Sequence, residues 1–90
     1  MRLTRDVAIV NALGLHARAA ARFVQMAGRF QAQIRLTRAG QTVDGKSIMG
    51  ILLLAAARGA VVTIEAHGPD AAAAVDELAA LVASGFGEGM

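Results

Sequence analysis

Two segments of this chain alternate between apolar and polar residues, and this pattern restricts the possible folds more than any other feature. In residues 30–37 every second side chain is apolar, beginning with Phe30, and the intervening side chains are polar. Residues 60–66 alternate in the same way, with Thr63 and Glu65 on the more polar face. A period of two residues indicates a β-strand with one buried and one solvated face. Such strands are typical of an antiparallel sheet that is covered on one side only.

Between the predicted strands, apolar residues recur at helical spacing. This spacing predicts helices over residues 17–27 and 48–57, and a last helix that Gly68 and Pro69 open and that ends before residue 85. Residues 7–10 are apolar throughout and predict a short buried strand that starts near Leu3. Residues 38–41 predict a hairpin turn into a strand that ends at Asp44.

The resulting element order is β-α-β-β-α-β-α, which predicts an α+β fold. We expect a two-layer open-faced sandwich, in which a four-stranded antiparallel sheet carries three helices on one face. The first and second strands are too far apart for a hairpin, so the fourth strand can lie between them, antiparallel to both. Residues 1–90 are expected to form a single domain, with residues 85–90 as a frayed tail.

The composition excludes several classes of function. The chain has no cysteine, which rules out disulfides, thiolate chemistry and Cys-based zinc sites. No apolar run approaches the ~20 residues of a membrane span. The N-terminus also lacks the apolar core of a signal peptide, so a cytoplasmic location and no membrane insertion are expected. Nine basic residues against seven acidic ones is a mild bias, and the dispersed arginines indicate no nucleic-acid partner.

His16 stands where the first predicted helix begins, directly after a turn at Gly14 and two residues before Arg18. The first N–H groups of a helix lack intrahelical acceptors, and the helix dipole makes that end partly positive. An anion held at His16 would therefore meet backbone N–H groups and the Arg18 guanidinium, and phosphate suits such a site best. If His16 is a nucleophile, it would carry a phosphoryl group. Taken alone, a histidine at a helix start is more often a cap or a surface residue.

Ser47 precedes the second predicted helix. Serine is a favoured N-cap, which stabilises a helix by ~1 kcal/mol and needs no further role. Residues 48–55, which follow it, are apolar nearly all round. A domain of this size has little room to bury every side of one helix. Part of this surface is therefore expected to be exposed, and exposed apolar patches mark partner sites.

These two motifs, together with the element order, resemble the HPr family, the histidine-containing phosphocarriers of the bacterial phosphoenolpyruvate-dependent sugar phosphotransferase system. Residues 14–18, Gly-Leu-His-Ala-Arg, match the family's active-site motif, and residues 46–50, Lys-Ser-Ile-Met-Gly, match its regulatory-serine motif. The resemblance extends over nearly the whole chain. One departure is Ala19, which stands where the family commonly has proline after the arginine.

The resemblance implies a relay on one histidine. His16 would accept a phosphoryl group on Nδ1 from phosphorylated enzyme I and pass it to a IIA domain, while Arg18 balances the phosphate charge. The N–H groups of Ala17 and Arg18 would bind the phosphate. Ser47 would be the regulatory phosphorylation site of a serine kinase and phosphorylase. The implied docking residues are Ile48, Met49, Ile51 and Leu52. Neither a cofactor nor a metal is implied, and a monomer is expected.

Other functions compete with the relay. A regulatory phospho-switch module, in a nitrogen-related or carbon-catabolite branch, would bind transcription regulators according to the phosphorylation of His16 or Ser47. The hypothesis of a nucleic-acid-binding domain has only the arginines to support it, because the polar sheet face has no stacking aromatic residue. A stand-alone enzyme would need a concave pocket, for which 90 residues leave little depth. His67 is expected to be structural, since two histidines without a third ligand do not indicate a metal site.

Overall fold

The two alternating segments form adjacent strands of one antiparallel sheet in the computed structural model, which describes residues 1–88. The elements follow the predicted order. In chain order they are β1 (Arg2–Ala8), α1 (Ala17–Ala27), β2 (Gln33–Arg38), β3 (Gln41–Asp44), α2 (Ile48–Leu53), β4 (Val61–His67) and α3 (Ala71–Ala83). A single 3-10 turn, Gly85–Gly87, follows α3.

The strand order is β1-β4-β2-β3, so β4 lies between β1 and β2 and is antiparallel to both, as the sequence predicts. Leu36 of β2 is opposite Ile64 of β4, and both side chains are buried. Phe23 of α1 and Leu78 of α3 are buried in the same core. The two-layer sandwich with three helices is confirmed, and its core lies between the sheet and the helices.

The first strand is mostly exposed, although its apolar residues predicted a buried strand. β1 covers residues 2–8, and only Leu3 and Val7 in it are partly buried. It is an edge strand, paired with β4 alone, so the side chains that face away from the helices remain in solvent. The apolar run 7–10 continues past the strand, and Ile9 is buried beyond its end.

The second helix ends at Leu53, four residues earlier than the sequence predicts. Ala55 takes a left-handed conformation with φ of 48°, which interrupts the helical path. The chain then turns so that the Ala56 carbonyl oxygen accepts a hydrogen bond from the Leu15 N–H at 2.9 Å. A contact with the loop before α1 therefore replaces the last turn of the predicted helix.

The third helix begins at Ala71, so Pro69 does not occupy the first helical position that was predicted for it. Asp70 makes no side-chain cap to this helix. Its two carboxylate oxygens instead accept hydrogen bonds from the N–H groups of Gln31 and Ala32, each at 2.8 Å. The bond from Gln31, with that from Ala32 and the charge of Lys46, lowers the pKa of the Asp70 carboxyl despite opposing desolvation. This contact joins the start of α3 to the segment that leads into β2.

The expected frayed tail is ordered as far as residue 88. Phe86 is 1% exposed, although its φ of 58° is left-handed, and Arg22 of α1 donates a hydrogen bond to its carbonyl oxygen. Burial of a phenylalanine side chain stabilises a fold by roughly 1.5–3 kcal/mol, which offsets part of the entropy lost when the tail is ordered. Residues 89 and 90, the rest of the expected tail, lie outside the described residues.

The lowered pKa of Asp70 makes its contribution to stability depend on pH. The folded protein binds this proton less tightly than the unfolded chain, so the stabilisation is present at neutral pH and is lost as the pH falls below about 4. Asp70→Asn should lower the free energy of unfolding at pH 7, since one amide nitrogen would face a backbone N–H. The deficit relative to wild type should shrink between about pH 4 and 3, measured by urea unfolding.

Glu77→Gln is the matched control, because Glu77 is an exposed carboxylate on the same helix. Its stability curve should run parallel to that of wild type over the whole pH range. A deficit for Asp70→Asn that stays constant from pH 7 to 3 would contradict this role of the Asp70 charge.

Candidate functional site

His16 is the N-cap of α1. Its backbone is extended, with φ of −78° and ψ of 178°, and its carbonyl oxygen accepts the first intrahelical bond, from the Ala20 N–H at 2.9 Å. Its Nδ1 accepts a weaker hydrogen bond from the Arg18 N–H at 3.3 Å. The ring is 26% exposed, so a partner protein can reach it. The sequence-predicted histidine therefore points Nδ1 toward the first turn of the helix.

A short loop, residues 9–15, sets the position of His16. Gly14 has φ of 65°, and its carbonyl oxygen accepts bonds from the His16 N–H at 2.9 Å and from Asn11 Nδ2 at 2.8 Å. The Leu15 N–H bonds to the Ala56 carbonyl oxygen at 2.9 Å. A Cβ on Gly14 would lie 2.5 Å from that same oxygen. Only glycine fits here, because the chain needs both a left-handed turn and a close approach to residues 56–57.

Arg18 and Ala17 lie in the first turn of α1, directly after His16. Within residues 1–88, the Arg18 guanidinium makes no hydrogen bond or ion pair, and the Ala17 N–H has no hydrogen-bond partner. Arg18 is exposed, whereas Ala19 is fully buried in the hydrophobic core. Of the predicted phosphate ligands, the Arg18 N–H contacts Nδ1 in this structure.

Glu88 lies on the other side of the imidazole. Its Oε2 is 2.5 Å from His16 Nε2, and its Oε1 accepts a hydrogen bond from Asn11 Nδ2 at 3.0 Å. Desolvation alone would raise the pKa of the Glu88 carboxyl. The hydrogen bonds from His16 and Asn11, with the charges of His16 and Arg22, lower it overall. Glu88 is therefore ionised at neutral pH and accepts hydrogen bonds at both oxygens.

Ser47 caps α2, and its Oγ accepts a hydrogen bond from the Gly50 N–H at 3.0 Å. Behind it, α2 exposes Ile48 and Met49, of which Met49 is 72% exposed. Leu52 is half-buried. Ile51 is fully buried, so its place among the docking residues is wrong. It faces the core because it lies on the opposite side of the helix from Met49 and Leu53.

Sequence reasoning missed four residues around this site. Leu13 and Leu53 are large, exposed apolar side chains, and Leu53 shares a helix face with Met49, four residues earlier. Glu88 contacts Nε2 of the His16 ring, and Asn11 donates a hydrogen bond to Glu88. The available signal for Glu88 was Phe86, since a lone aromatic residue in a glycine-rich tail is a reason to expect an anchor.

Within residues 1–88, no three side chains of His, Asp or Glu come together in a way that could hold a metal ion. Across the same residues, no helix combines the length and the apolar character needed to cross a bilayer.

Comparisons with known proteins agree on one family. The family model described as "PTS HPr component phosphorylation site" matches residues 3–84. The phosphocarrier protein HPr of Cupriavidus necator is 54% identical over 87 residues, which cover 97% of this chain and 98% of that protein. A crystal structure of HPr from Thermoanaerobacter tengcongensis has a TM-score of 0.94 at 42% identity, over 98% of this chain and 99% of that one.

The catabolite repression protein Crh of Bacillus subtilis, whose crystal structure is a domain-swapped dimer, is also similar. Its TM-score is 0.76 at 44% identity, over 82% of this chain and 85% of that one. In each of these comparisons the likeness extends over most of both chains and is not confined to the two motifs.

The close approach at Gly14 predicts the effect of adding one methyl group. Gly14→Ala should lower the free energy of unfolding by at least about 3 kcal/mol, because it combines a strained φ with overpacking against Ala56. Gly40→Ala is the control, since Gly40 also has positive φ, 82°, but a Cβ there meets nothing within 4 Å. It should cost only about 1–2 kcal/mol. Equal losses in chemical denaturation would show that the contact with Ala56 is unimportant.

Proposed function

Because this chain belongs to the HPr family of the phosphotransferase system, we propose that it accepts a phosphoryl group on His16 from phosphorylated enzyme I and passes it to a IIA domain. One observation supports this most directly. The Nδ1 atom of a partly exposed His16 faces the N-terminal turn of α1 and accepts a hydrogen bond from the Arg18 N–H. The protein would work in the cytoplasm, as a monomer that meets one partner at a time.

The transfer is a simple displacement at phosphorus. The Nδ1 lone pair attacks, a bond forms between Nδ1 and phosphorus, and the bond from phosphorus to the donor atom breaks, with its electrons leaving on the donor. The proton on Nε2 stays where it is, so the phosphorylated ring carries a positive charge beside a negative phosphoryl group. Transfer to the acceptor reverses these steps, and the ring leaves as neutral imidazole.

The electrostatics of the site suit a carrier. A helix N-terminus stabilises an anion by ~0.3–1 kcal/mol at an exposed position and by about 2 kcal/mol in a sheltered one. The Arg18 guanidinium adds a charge-assisted contact. These contributions favour the phosphorylated state without making it too stable to pass on. The remaining stabilisation of the transition state would come from the donor and acceptor proteins.

Incubation with phosphoenolpyruvate and enzyme I tests this function. Wild-type protein should gain one acid-labile, base-stable phosphate, and His16→Asn should gain none while keeping an N-cap side chain. His67→Ala, which removes the chain's other histidine, should be labelled normally. Label that persists in His16→Asn would place the phosphate elsewhere and overturn the proposal.

Arg18→Ala should slow phosphoryl transfer by about 10–100-fold, the rate equivalent of one lost charge-assisted hydrogen bond. Its thermal unfolding should match that of wild type, since the side chain is exposed. Arg29→Ala, which removes an exposed arginine after the other end of α1, is the matched control and should transfer at the wild-type rate. Equal rates for both variants would remove Arg18 from the proposed site.

We also propose that phosphorylation of Ser47 by a serine kinase inhibits this relay by weakening the docking of partner proteins. Ser47 is half-buried at the start of α2, next to the exposed side chains of Ile48 and Met49. A charge there would have to be desolvated when a partner covers this apolar surface, and such desolvation is costly. The serine's capping bond to Gly50 is present without any phosphate.

Two substitutions separate charge from capping. Asp and Asn are both good N-caps, so Ser47→Asp and Ser47→Asn should both keep α2. Ser47→Asp should raise the enzyme I concentration needed for half-maximal phosphorylation about tenfold or more, a cost of roughly 1.4 kcal/mol in docking. Ser47→Asn should stay within about twofold of wild type. Initial rates over a range of enzyme I concentrations measure both, and equal values would count against this inhibition.

A regulatory module is the second candidate, and the similarity to Crh, a catabolite repression protein, favours it. In that case phosphorylated His16 or Ser47 would be read by a transcription regulator. Pull-down experiments with each phosphorylated form distinguish the two candidates. Binding to a regulator without transfer to any IIA domain would favour the regulatory module over the relay.

A further inference from the structure

We propose that Glu88 is a positioning residue for phosphoryl transfer, which keeps the His16 proton on Nε2 and so leaves the Nδ1 lone pair free to attack. This inference rests on the proposed function and adds a residue from the opposite end of the chain. Three independent contacts carry it: the bond from the ring to Glu88, the bond from Asn11 to Glu88, and the burial of Phe86.

The hydrogen-bond network assigns the tautomer of His16. An ionised carboxylate can only accept hydrogen bonds, so the 2.5 Å contact between Glu88 Oε2 and His16 Nε2 requires the proton on Nε2. The Arg18 N–H donates to Nδ1 at 3.3 Å, which requires Nδ1 to be unprotonated. The two contacts lie on opposite sides of the ring and demand the same tautomer. Orienting a catalytic imidazole through its second nitrogen is a common function of a buried carboxylate.

Asn11 fixes the carboxylate in turn. Its side chain is fully buried, and Nδ2 donates to the Gly14 carbonyl oxygen at 2.8 Å and to Glu88 Oε1 at 3.0 Å. Both of these acceptors are oxygens that cannot donate, so the nitrogen of the amide must face them. Each oxygen of Glu88 therefore has one assigned partner, and the carboxylate cannot rotate without losing a bond.

The tail delivers Glu88 to this position. Phe86 is buried against the core, Arg22 of α1 donates to its carbonyl oxygen, and the Glu88 N–H bonds to the Gly85 carbonyl oxygen at 3.0 Å. These contacts hold the two residues before Glu88 without help from His16. The bond to the ring is consequently made by an anchored residue, which is what positioning of a nucleophile requires.

Glu88→Gln tests the proposal sharply because the substitution is nearly isosteric. Asn11 Nδ2 still needs an acceptor, so the new amide oxygen takes the place of Oε1 and the new amide nitrogen faces His16 Nε2. That nitrogen is a donor, which forces Nε2 to accept and moves the proton to Nδ1. We expect nitrogen-15 NMR of the ring to change from the Nε2–H to the Nδ1–H pattern. The rate of phosphoryl acceptance from enzyme I should fall at least about tenfold.

Glu77→Gln removes the same charge from an exposed site on α3 and is the matched control. It should change neither the tautomer nor the acceptance rate, and thermal unfolding should show that both variants are folded. Equal acceptance rates in wild type and Glu88→Gln would overturn the proposal, whatever the tautomer. An unchanged tautomer in Glu88→Gln would overturn it too.

Failure of the proposed function would look different from failure of this inference. If the proposed function is wrong, the wild-type protein itself would remain unlabelled by enzyme I. The nitrogen-15 spectra need no phosphate, so they report the contact between Glu88 and the ring either way.

Discussion

The loop before α1 is held against the segment after α2, and the position of His16 depends on this contact. The Leu15 N–H donates to the Ala56 carbonyl oxygen, and Gly14 approaches the same oxygen more closely than any side chain would allow. The contact ends α2 early and fixes where α1 starts. His16, at the end of this loop, takes its extended N-cap conformation.

In the proposed relay, the residues of the site and the partner proteins would contribute different parts of the phosphoryl chemistry. The helix terminus, Arg18 and the Ala17 N–H would receive the phosphate, while the ring stays accessible. A carrier of this kind relies on its partners to exclude water, and the exposed side chains of Met49 and Leu53 offer them an apolar surface to cover.

Much of this architecture could be predicted from local sequence. The bounds of α1 follow from the spacing of its apolar residues and from Gly28, and the place of β4 between its neighbours follows from chain connectivity. The His16 and Ser47 motifs were visible because each combines a cap residue with its helix. The exposure of β1 was not predictable from its composition, since an apolar run does not reveal which strand forms the edge of the sheet.

The remaining errors have two physical causes. On an almost wholly apolar helix, sequence spacing cannot show which side faces the core, so Ile51 was assigned to the surface although it is buried. The role of Glu88 depends on a contact between residues 72 positions apart in the chain. Asp70 directly precedes α3 but binds the backbone of the segment before β2, 38 and 39 positions earlier in the chain. Long-range polar contacts of this kind leave no local pattern to read.

The anchored Phe86 also determines where the protein tolerates an added sequence. A purification handle or fusion partner joined after Met90 begins only three positions beyond Glu88, the residue that contacts the imidazole. Met1 precedes a seven-residue strand whose far end leads into the His16 loop, so it lies roughly 20 Å away along β1. Sequences attached at the N-terminus should therefore not interfere with the His16 ring or with proteins that dock on it.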